Sequence, residues 1–447
     1  MSIVMKFGGT SVADAAAFEN VARIVAAESD ASPVVVVSAM TGVTDGLLSA
    51  MPSSLDAIFQ RHLAVAKELL PQSEASRFGG FVKCAEDQLR ELLYAIAKTP
   101  ARRKILQDAI VSFGEILSST LLAEVLNRYG VQARQVDARR CIITDDQHTC
   151  AAPLLAETFS CTQNELRPLI EAGVVPVLGG FIGATVDGTT TTLGRGGSDY
   201  TAALIGAALN AREIQIWTDV TGVLTADPRV VPAAQTIERL SYSEAAELAY
   251  FGAKVLHPKT IQPAIENSIP VRICNSRAPQ ERGTLVGPET EMSARTVKAI
   301  AHKTGVTTVQ ITSARMLGAY GFLRALFEVF DRHRTVVDVV TTSEVSVSLS
   351  LDDDSALPQI VEELEQLGTV RVEKGRAIIC VVGEGLRGTP GIAARVFSTI
   401  SDINVTLISQ GASSINFTFA IEEERVKEAV TRLHEAFFAT KRHKKST

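Results

Sequence analysis

The sequence predicts an α/β protein, a three-layer sandwich with a mainly parallel central sheet, followed by two smaller βαββαβ modules. The first two-thirds of the 447 residues alternates short apolar, β-branched runs with longer stretches of helical period, the pattern of a sheet covered by helices. Near Gly283-Thr284-Leu285-Val286-Gly287-Pro288 the composition turns to glycine and proline and then to Glu289-Thr290-Glu291, as at the end of a domain. Beyond that point a strand, a glycine-containing turn, an amphipathic helix, two strands and a second helix occur twice, which is an internal repeat.

In the first region, Ile3 to Phe7, Pro33 to Ser38, Val174 to Gly179 and Glu213 to Thr218 are the strand candidates. Between the second and third lies a helical insertion from about Leu47 to Arg128, visible in Ala109 to Leu126 as apolar residues every three to four positions. These segments make residues 1–287 one predicted domain. The first module, residues 306–374, has strands at Val306 to Thr312, Val336 to Val340, Val345 to Leu351 and Val370 to Val372, with helices at Phe322 to Arg332 and Pro358 to Leu367. The second has strands at Ala377 to Gly383, Asn404 to Ser409 and Ile415 to Ile421, with helices at Gly388 to Ile400 and Glu424 to Phe437. It is one strand short. The segment Val297 to His302 supplies the missing strand, so the second module is predicted as 297–303 plus 377–438, with the first inserted in it and 439–447 left as a basic tail.

With 46% apolar and 21% charged residues the balance is that of a folded globular chain. A net charge of −6 argues against a broad surface for nucleic acid or anionic lipid. The run Lys441-Arg442-His443-Lys444-Lys445 reads as a solvated tail. Six scattered cysteines without Cys-x-x-Cys spacing indicate neither a metal site nor a disulfide framework. No apolar run reaches membrane-spanning length and no leader precedes the first strand, so the expected location is the cytoplasm or, for a trimmed precursor, an organelle interior.

Two glycine turns carry the chemistry. Lys6-Phe7-Gly8-Gly9-Thr10-Ser11 follows a strand and precedes a helix; glycines allow close backbone approach to an anion and Lys6 adds a full positive charge. The spacing is neither that of a P-loop nor of the dinucleotide fingerprint. Leu193-Gly194-Arg195-Gly196-Gly197-Ser198-Asp199 also leads into a helix. There Arg195 suits bidentate capture of a carboxylate or phosphate, and Asp199 could hold Lys6, bind magnesium through water, or, with Ser198, merely cap the helix. Thr218 and Asp219 end a buried-type strand, where nucleotides sit in open α/β sheets. Asp227-Pro228-Arg229 is a turn whose arginine could reach a phosphate. Lys254 in Phe251-Gly252-Ala253-Lys254-Val255-Leu256-His257-Pro258 is a further phosphate candidate, whereas His257 reads as structural. Glu115, in an otherwise apolar helix, could receive an ammonium group or be a surface acid; Ser38 and Thr44 belong to a small-residue loop after a strand.

Taken together, Lys6 to Val12, Gly194 to Asp199, Trp217 to Val220, Asp227 to Arg229 and Phe251 to Pro258 closely resemble the aspartate kinase branch of the amino acid kinase family, in order and over nearly the full chain. The two modules resemble ACT domains, and with no homoserine dehydrogenase region following, the resemblance is to the monofunctional enzymes. It implies ATP-dependent phosphorylation of the L-aspartate β-carboxylate, the first step of the pathway to lysine, threonine and methionine, with Mg2+ bound to ATP. Lys6 would neutralise the transferring phosphoryl group and Asp199 organise it. Arg195 would bind the α-carboxylate, Glu115 the α-amino group, and Ser38, Thr44 and Ser198 the rest of the substrate. Lys6, Phe7, Gly8, Gly9, Thr218, Asp219, Arg229, Lys254 and Val255 would meet ATP. Where some relatives carry a tyrosine shortly after the Thr-Asp pair, this chain has Leu224.

Met316-Leu317-Gly318-Ala319-Tyr320-Gly321-Phe322-Leu323, with Val337-Asp338 and Thr342-Ser343-Glu344, resembles the effector site of lysine-sensitive members. The resemblance implies that Met316, Tyr320, Gly321, Phe322, Leu323, Val337, Ser343 and Glu344 surround the ligand and Asp338 pairs with its ammonium. Some lysine-sensitive members carry hydroxyl or histidine side chains where Gly318, Ala319 and Val336 stand here. Gln410 to Asn416 is similar to threonine-sensing members, which keeps threonine as the second candidate effector. ACT modules imply a homodimer or homotetramer. The competing readings are another amino acid kinase, acting on glutamate-type carboxylates, carbamate or a nucleotide, and a sensor that has lost catalysis.

Overall fold

The computed structural model describes residues 2–51, 55–252, 256, 258–288, 296–411 and 413–439. Its strands are β1 (Ile3–Phe7), β2 (Pro33–Val37), β3 (Ala133–Val136), β4 (Ile143–Thr144), β5 (Val175–Gly179), β6 (Ile182–Thr185), β7 (Thr190–Thr192), β8 (Glu213–Thr218), β9 (Arg239–Ser241), β10 (Val271–Asn275) and β11 (Thr284–Gly287), then β12 (Ala299–Thr312), β13 (Val340–Thr342), β14 (Ser346–Leu351), β15 (Thr369–Val382), β16 (Leu407–Gln410) and β17 (Asn416–Glu422). The helices are α1 (Ala15–Ala27), α2 (Val43–Leu48), α3 (Leu55–Leu69), α4 (Gln72–Lys98), α5 (Arg103–Arg128), α6 (Leu155–Glu171), α7 (Gly197–Leu209), α8 (Tyr242–Tyr250), α9 (Gln262–Glu266), α10 (Phe322–Arg332), α11 (Leu357–Leu364), α12 (Ile392–Thr399) and α13 (Val426–Phe438).

By contacts the chain divides into two units: Met1–Val223 with Glu238–Tyr242 and Val255–Glu289, and Leu224–Ile237 with Ser243–Lys254 and Thr290–Thr447. This differs from an uninterrupted first domain through residue 287, and packing is the reason. Ala226 and Val231 share a buried cluster with Ile300, Val381 and Leu433. Ile300 N–H donates to Thr225 O (2.8 Å), and Lys298 Nζ lies 2.7 Å from Glu244 Oε2.

In the first unit the large sheet runs β3-β5-β2-β1-β8-β10-β11-β9, and all its pairs are parallel except β10 with β11. Every residue of the Val-rich β2 is buried, as expected of a strand covered on both faces; each fully buried valine contributes roughly 1.5 kcal/mol or more. Ile3, Met5 and Phe7 point into the cluster formed with α1, α3, α4 and α5. On the other face a Cβ added to Gly206 of α7 would stand 2.6 Å from Ile214 Cδ1, so glycine lets that helix lie close to the sheet. The stretch Pro100–Arg128, which includes α5, is long and apolar enough to cross a membrane, yet 78% of its apolar window is buried within the protein. That burial makes α5 a core helix.

The second unit has one antiparallel sheet, β13-β14-β12-β15-β17-β16. Segments expected as four separate strands are two 14-residue strands, β12 and β15. Ala299–Lys303 pairs with Ile378–Val382, and Thr308–Thr312 pairs with Thr369–Glu373, with register shifts around Val306 between the two stretches. Gly305 (φ +72) and Gly375 (φ +66) sit at that irregularity, so glycines that read as breaks are bulge positions inside continuous strands. Two clusters form the cores: Leu326, Phe330, Ile360 and Leu364 around α10 and α11, and Val396, Phe417, Phe419 and Leu433 around α12 and α13. The strand expected at Val336 to Val340 occurs later, at β13.

Candidate active site

The carboxyl ends of β5, β2, β1 and β8 are neighbours in the first sheet. From β1 the chain order goes one way to β2 and the other way to β8, and ligands collect beyond strand ends at such a switch point. A cleft of about 810 Å³ opens there, lined by Lys6, Gly8, Gly9, Ser38, Thr44, Glu115, Arg195, Ser198, Asp199, Thr218 and Asp219, among others. Residues separated by more than two hundred positions thus meet in one cavity.

At the end of β1, Gly8 N–H donates to Trp217 O (3.1 Å). A Cβ on Gly9 would come within 2.9 Å of Ala39 O, so the turn needs glycine for room. Lys6 Nζ lies 2.7 Å from Asp199 Oδ1, with side-chain exposures of 12% and 18%; such a pair is little screened by solvent. Asp199 lies in the first turn of α7, where a helix favours an acid. The N-cap itself is Gly196, in a left-handed conformation (φ +75), so neither Ser198 nor Asp199 is the cap.

Glu115 is 3% exposed, not a surface acid. Its Oε1 accepts from Ala39 N–H (3.2 Å), and its Oε2 is buried with no hydrogen-bond partner among the described residues. Burial pushes this carboxyl up to about 8, against the lowering effect of the Ala39 N–H. Ser38 Oγ donates to Ser198 Oγ (3.0 Å), joining the ends of β2 and the second glycine turn. Thr44 is half-buried on α2. Arg195 is exposed and has no ion-pair partner among the described residues.

At the end of β8, Thr218 O accepts from Ser276 N–H (2.8 Å), and Thr218 Oγ1 donates to Asp219 Oδ1 (3.2 Å). Phe7 is fully buried and its ring stacks on Trp217 at 5.9 Å, so its side chain faces the core and not the cleft. Arg229 belongs to the second unit and forks onto Asp227 (2.7 Å). Lys254, Val255 and His257 lie outside the described residues. Asp108, Thr149, Phe181 and Thr192 also line the cleft; no motif marks them.

The amino acid kinase family matches residues 1–275, and an ACT domain matches residues 379–437. The lysine-sensitive aspartokinase 3 of Escherichia coli is 39% identical over 448 residues, covering 98% of this chain and 99% of that protein. This chain belongs to the aspartate kinases of the amino acid kinase family. The crystal structure of E. coli aspartokinase III with aspartate and ADP superposes with a TM-score of 0.82 at 38% identity, over 98% of this chain and 100% of that one. The structure of E. coli aspartokinase III with lysine and aspartate gives 0.81 at 38%, over 98% and 99%.

The regulatory part of this aspartate kinase holds a buried acidic group of its own. Asp338 is only 2% exposed in its side chain, and Lys303 Nζ stands 3.3 Å from its Oδ2. The same ammonium contacts Asp352 and lies 4.7 Å from the centre of the Tyr250 ring. Burial, a hydrogen bond with Asp352 and that residue's charge push Asp338 up to about 7. Gly318 (φ +64) and Gly321 (φ +83) are left-handed, and Gly321 caps α10. Met316, Phe322 and Val337 pack against the module core. Tyr320, Leu323, Ser343 and Glu344 are exposed.

Proposed function

We propose that this aspartate kinase binds L-aspartate between Arg195, Glu115 and the Ser38–Ser198 pair, and transfers the γ-phosphoryl group of ATP to its β-carboxylate at Lys6. The observation that carries the reading is the Lys6–Asp199 pair facing the same cleft as Arg195 and the unpartnered Glu115 oxygen. Arg195 suits the α-carboxylate as a planar fork. Glu115, ionised on binding, suits the α-ammonium. Phe7 shapes the strand end, while Gly8, Gly9, Thr218 and Asp219 offer backbone and side-chain contacts to nucleotide. Arg229, Lys254 and Val255 complete the nucleotide assignment by resemblance alone.

In this reading a β-carboxylate oxygen attacks the γ-phosphorus while the bond to the β,γ-bridging oxygen breaks, leaving ADP with the extra charge. No general base is needed, since the attacking carboxylate is already ionised. Positioning and charge stabilisation supply the rate. Lys6 meets the developing charge in a water-poor site, and Asp199 fixes its ammonium. Among the described residues no cluster of three or more His, Cys, Asp or Glu could hold a metal. Mg2+ keeps its waters and takes one or two carboxylates plus phosphates; in this reading Asp219, in the lining of the cleft, would hold it, and it would supply neutralisation of the phosphate charge. Lys6→Ala should lower kcat by about 10²-fold or more, measured as ADP release with aspartate, with glutamate and without acceptor. Near-normal turnover would remove Lys6 from the mechanism, and acceptor-independent turnover would remove aspartate.

The ACT region would then feed back on this first step of lysine, threonine and methionine synthesis. Lysine is the favoured effector, because Asp338 and Asp352 already receive an ammonium, that of Lys303; threonine offers no second ammonium to compete for them. The pairing of Ala299–Lys303 with Ile378–Val382 supports reading 306–374 as a module inserted in one built from 297–303 and 377–438. The exposed Leu317, Tyr320, Val336 and Val340 on the first module support self-association as a homodimer or homotetramer.

A further inference from the structure

The geometry points to Asp108 as a positioning residue for the aspartate site, acting by bracing the Thr149–Cys150 turn under the Arg195 loop. The inference rests on Arg195 as the receptor for the α-carboxylate. Asp108 lies seven residues before Glu115 on α5, two turns back on the same helical face, and is 1% exposed. Its carboxylate is not an isolated buried charge. Thr192 Oγ1 donates to Oδ1 (2.6 Å), Thr149 N–H donates to Oδ2 (3.0 Å), and His148 Nδ1 stands 2.8 Å from Oδ2.

These partners flank one structure. Thr149 is held at φ +76, a conformation that β-branched residues avoid. On its far side Ala151 N–H donates to Thr192 O (2.9 Å). Two residues beyond Thr192 the chain reaches Gly194, where an added Cβ would meet Cys150 Sγ at 3.2 Å and Thr149 O at 3.4 Å. The turn is therefore the floor on which Gly194 rests, with Arg195 next in line. Asp108 holds both the floor and the strand that delivers the arginine. It is outside the reacting groups, so removing its charge should disturb where the substrate carboxylate is met and leave the phosphoryl chemistry largely intact.

The test is steady-state kinetics on the full-length enzyme. Asp108→Asn should raise KM for aspartate about tenfold or more, with kcat and KM for ATP changed less than about threefold. Adding Thr149→Gly, which takes a positive φ without strain, should return KM to within about threefold of the parent. Thr192→Val removes a single hydroxyl and gives a smaller rise in KM for aspartate, which keeps the test alive if Asp108→Asn fails to fold. An unchanged KM, equal losses in all three parameters, or a raised KM that glycine at 149 does not rescue would each overturn the proposal. Arg195→Ala, run in parallel, separates the two readings: if it raises KM for aspartate and Asp108→Asn does not, only the bracing role fails. If Arg195→Ala leaves KM unchanged, the carboxylate assignment fails and takes the bracing role with it.

Discussion

At neutral pH the buried carboxyl of unliganded Glu115 still holds its proton, because its environment lifts it to about 8. In the proposed reading Glu115 must be ionised to receive the α-ammonium, so aspartate binding below pH 8 would release a proton. The apparent KM for aspartate should therefore fall by up to about tenfold per unit as pH rises from 6 towards 8, then level off. Glu115→Gln should flatten that slope and raise KM; a slope that survives the substitution would exclude Glu115 as its source. The sign for folding is opposite. Between the usual carboxylate range and pH 8 the unfolded chain has lost a proton that the unliganded fold retains, so this group's contribution to stability declines as pH rises through that window. Unliganded Glu115→Gln should accordingly gain in thermal midpoint relative to the parent at pH 8 more than at pH 5. Lys6, Arg195 and Asp199 could be read from the sequence because charge beside glycine is a local signal. Glu115 was legible in α5 only as one of two alternatives, because periodicity does not distinguish a core acid from an exposed one when serines at 112, 118 and 119 share its helical face. Asp108 and Thr149 carried no signal at all, since their relation exists only once a distant loop folds over the helix.

Elements meet at glycines where backbone must pass close to side chain. A Cβ on Gly180, after β5, would stand 2.7 Å from Ser198 Cβ and 2.8 Å from its Cα. Gly180→Ala should push the start of α7 from the strand end, separating Ser38 from Ser198 and shifting Asp199. We expect a loss of about 1–3 kcal/mol in stability and at least about tenfold in kcat/KM, read from denaturant melts and kinetics on one preparation. Unaltered kcat/KM would mean that α7 tolerates the shift. The strands of the large sheet were legible because each is a short, continuous apolar run. Those of the regulatory sheet were legible in kind but not in extent, since Gly305 and Gly375 look like turns in sequence and only pairing reveals them as bulges.

The two-unit division was the least legible feature. Residues 224–237 and 243–254 fall, in sequence, between catalytic motifs, yet Ala226 and Val231 are buried with the ACT residues. Membership there is decided by which apolar surface covers them. For the molecule as a whole, an effector that binds the folded chain stabilises it by mass action, by about 2.7 kcal/mol at one hundred times its dissociation constant, and so raises its melting temperature. A thermal-shift series over lysine, threonine and methionine should give its largest shift with lysine; equal shifts for all three would defeat that preference.

Because β12 and β15 each run unbroken through both ACT-like modules, neither module owns a complete sheet of its own. A recombination event that exchanged one of them alone would sever two backbones shared with its neighbour, so new effector specificities in this architecture must arise by altering pocket side chains in place or by transplanting the pair together.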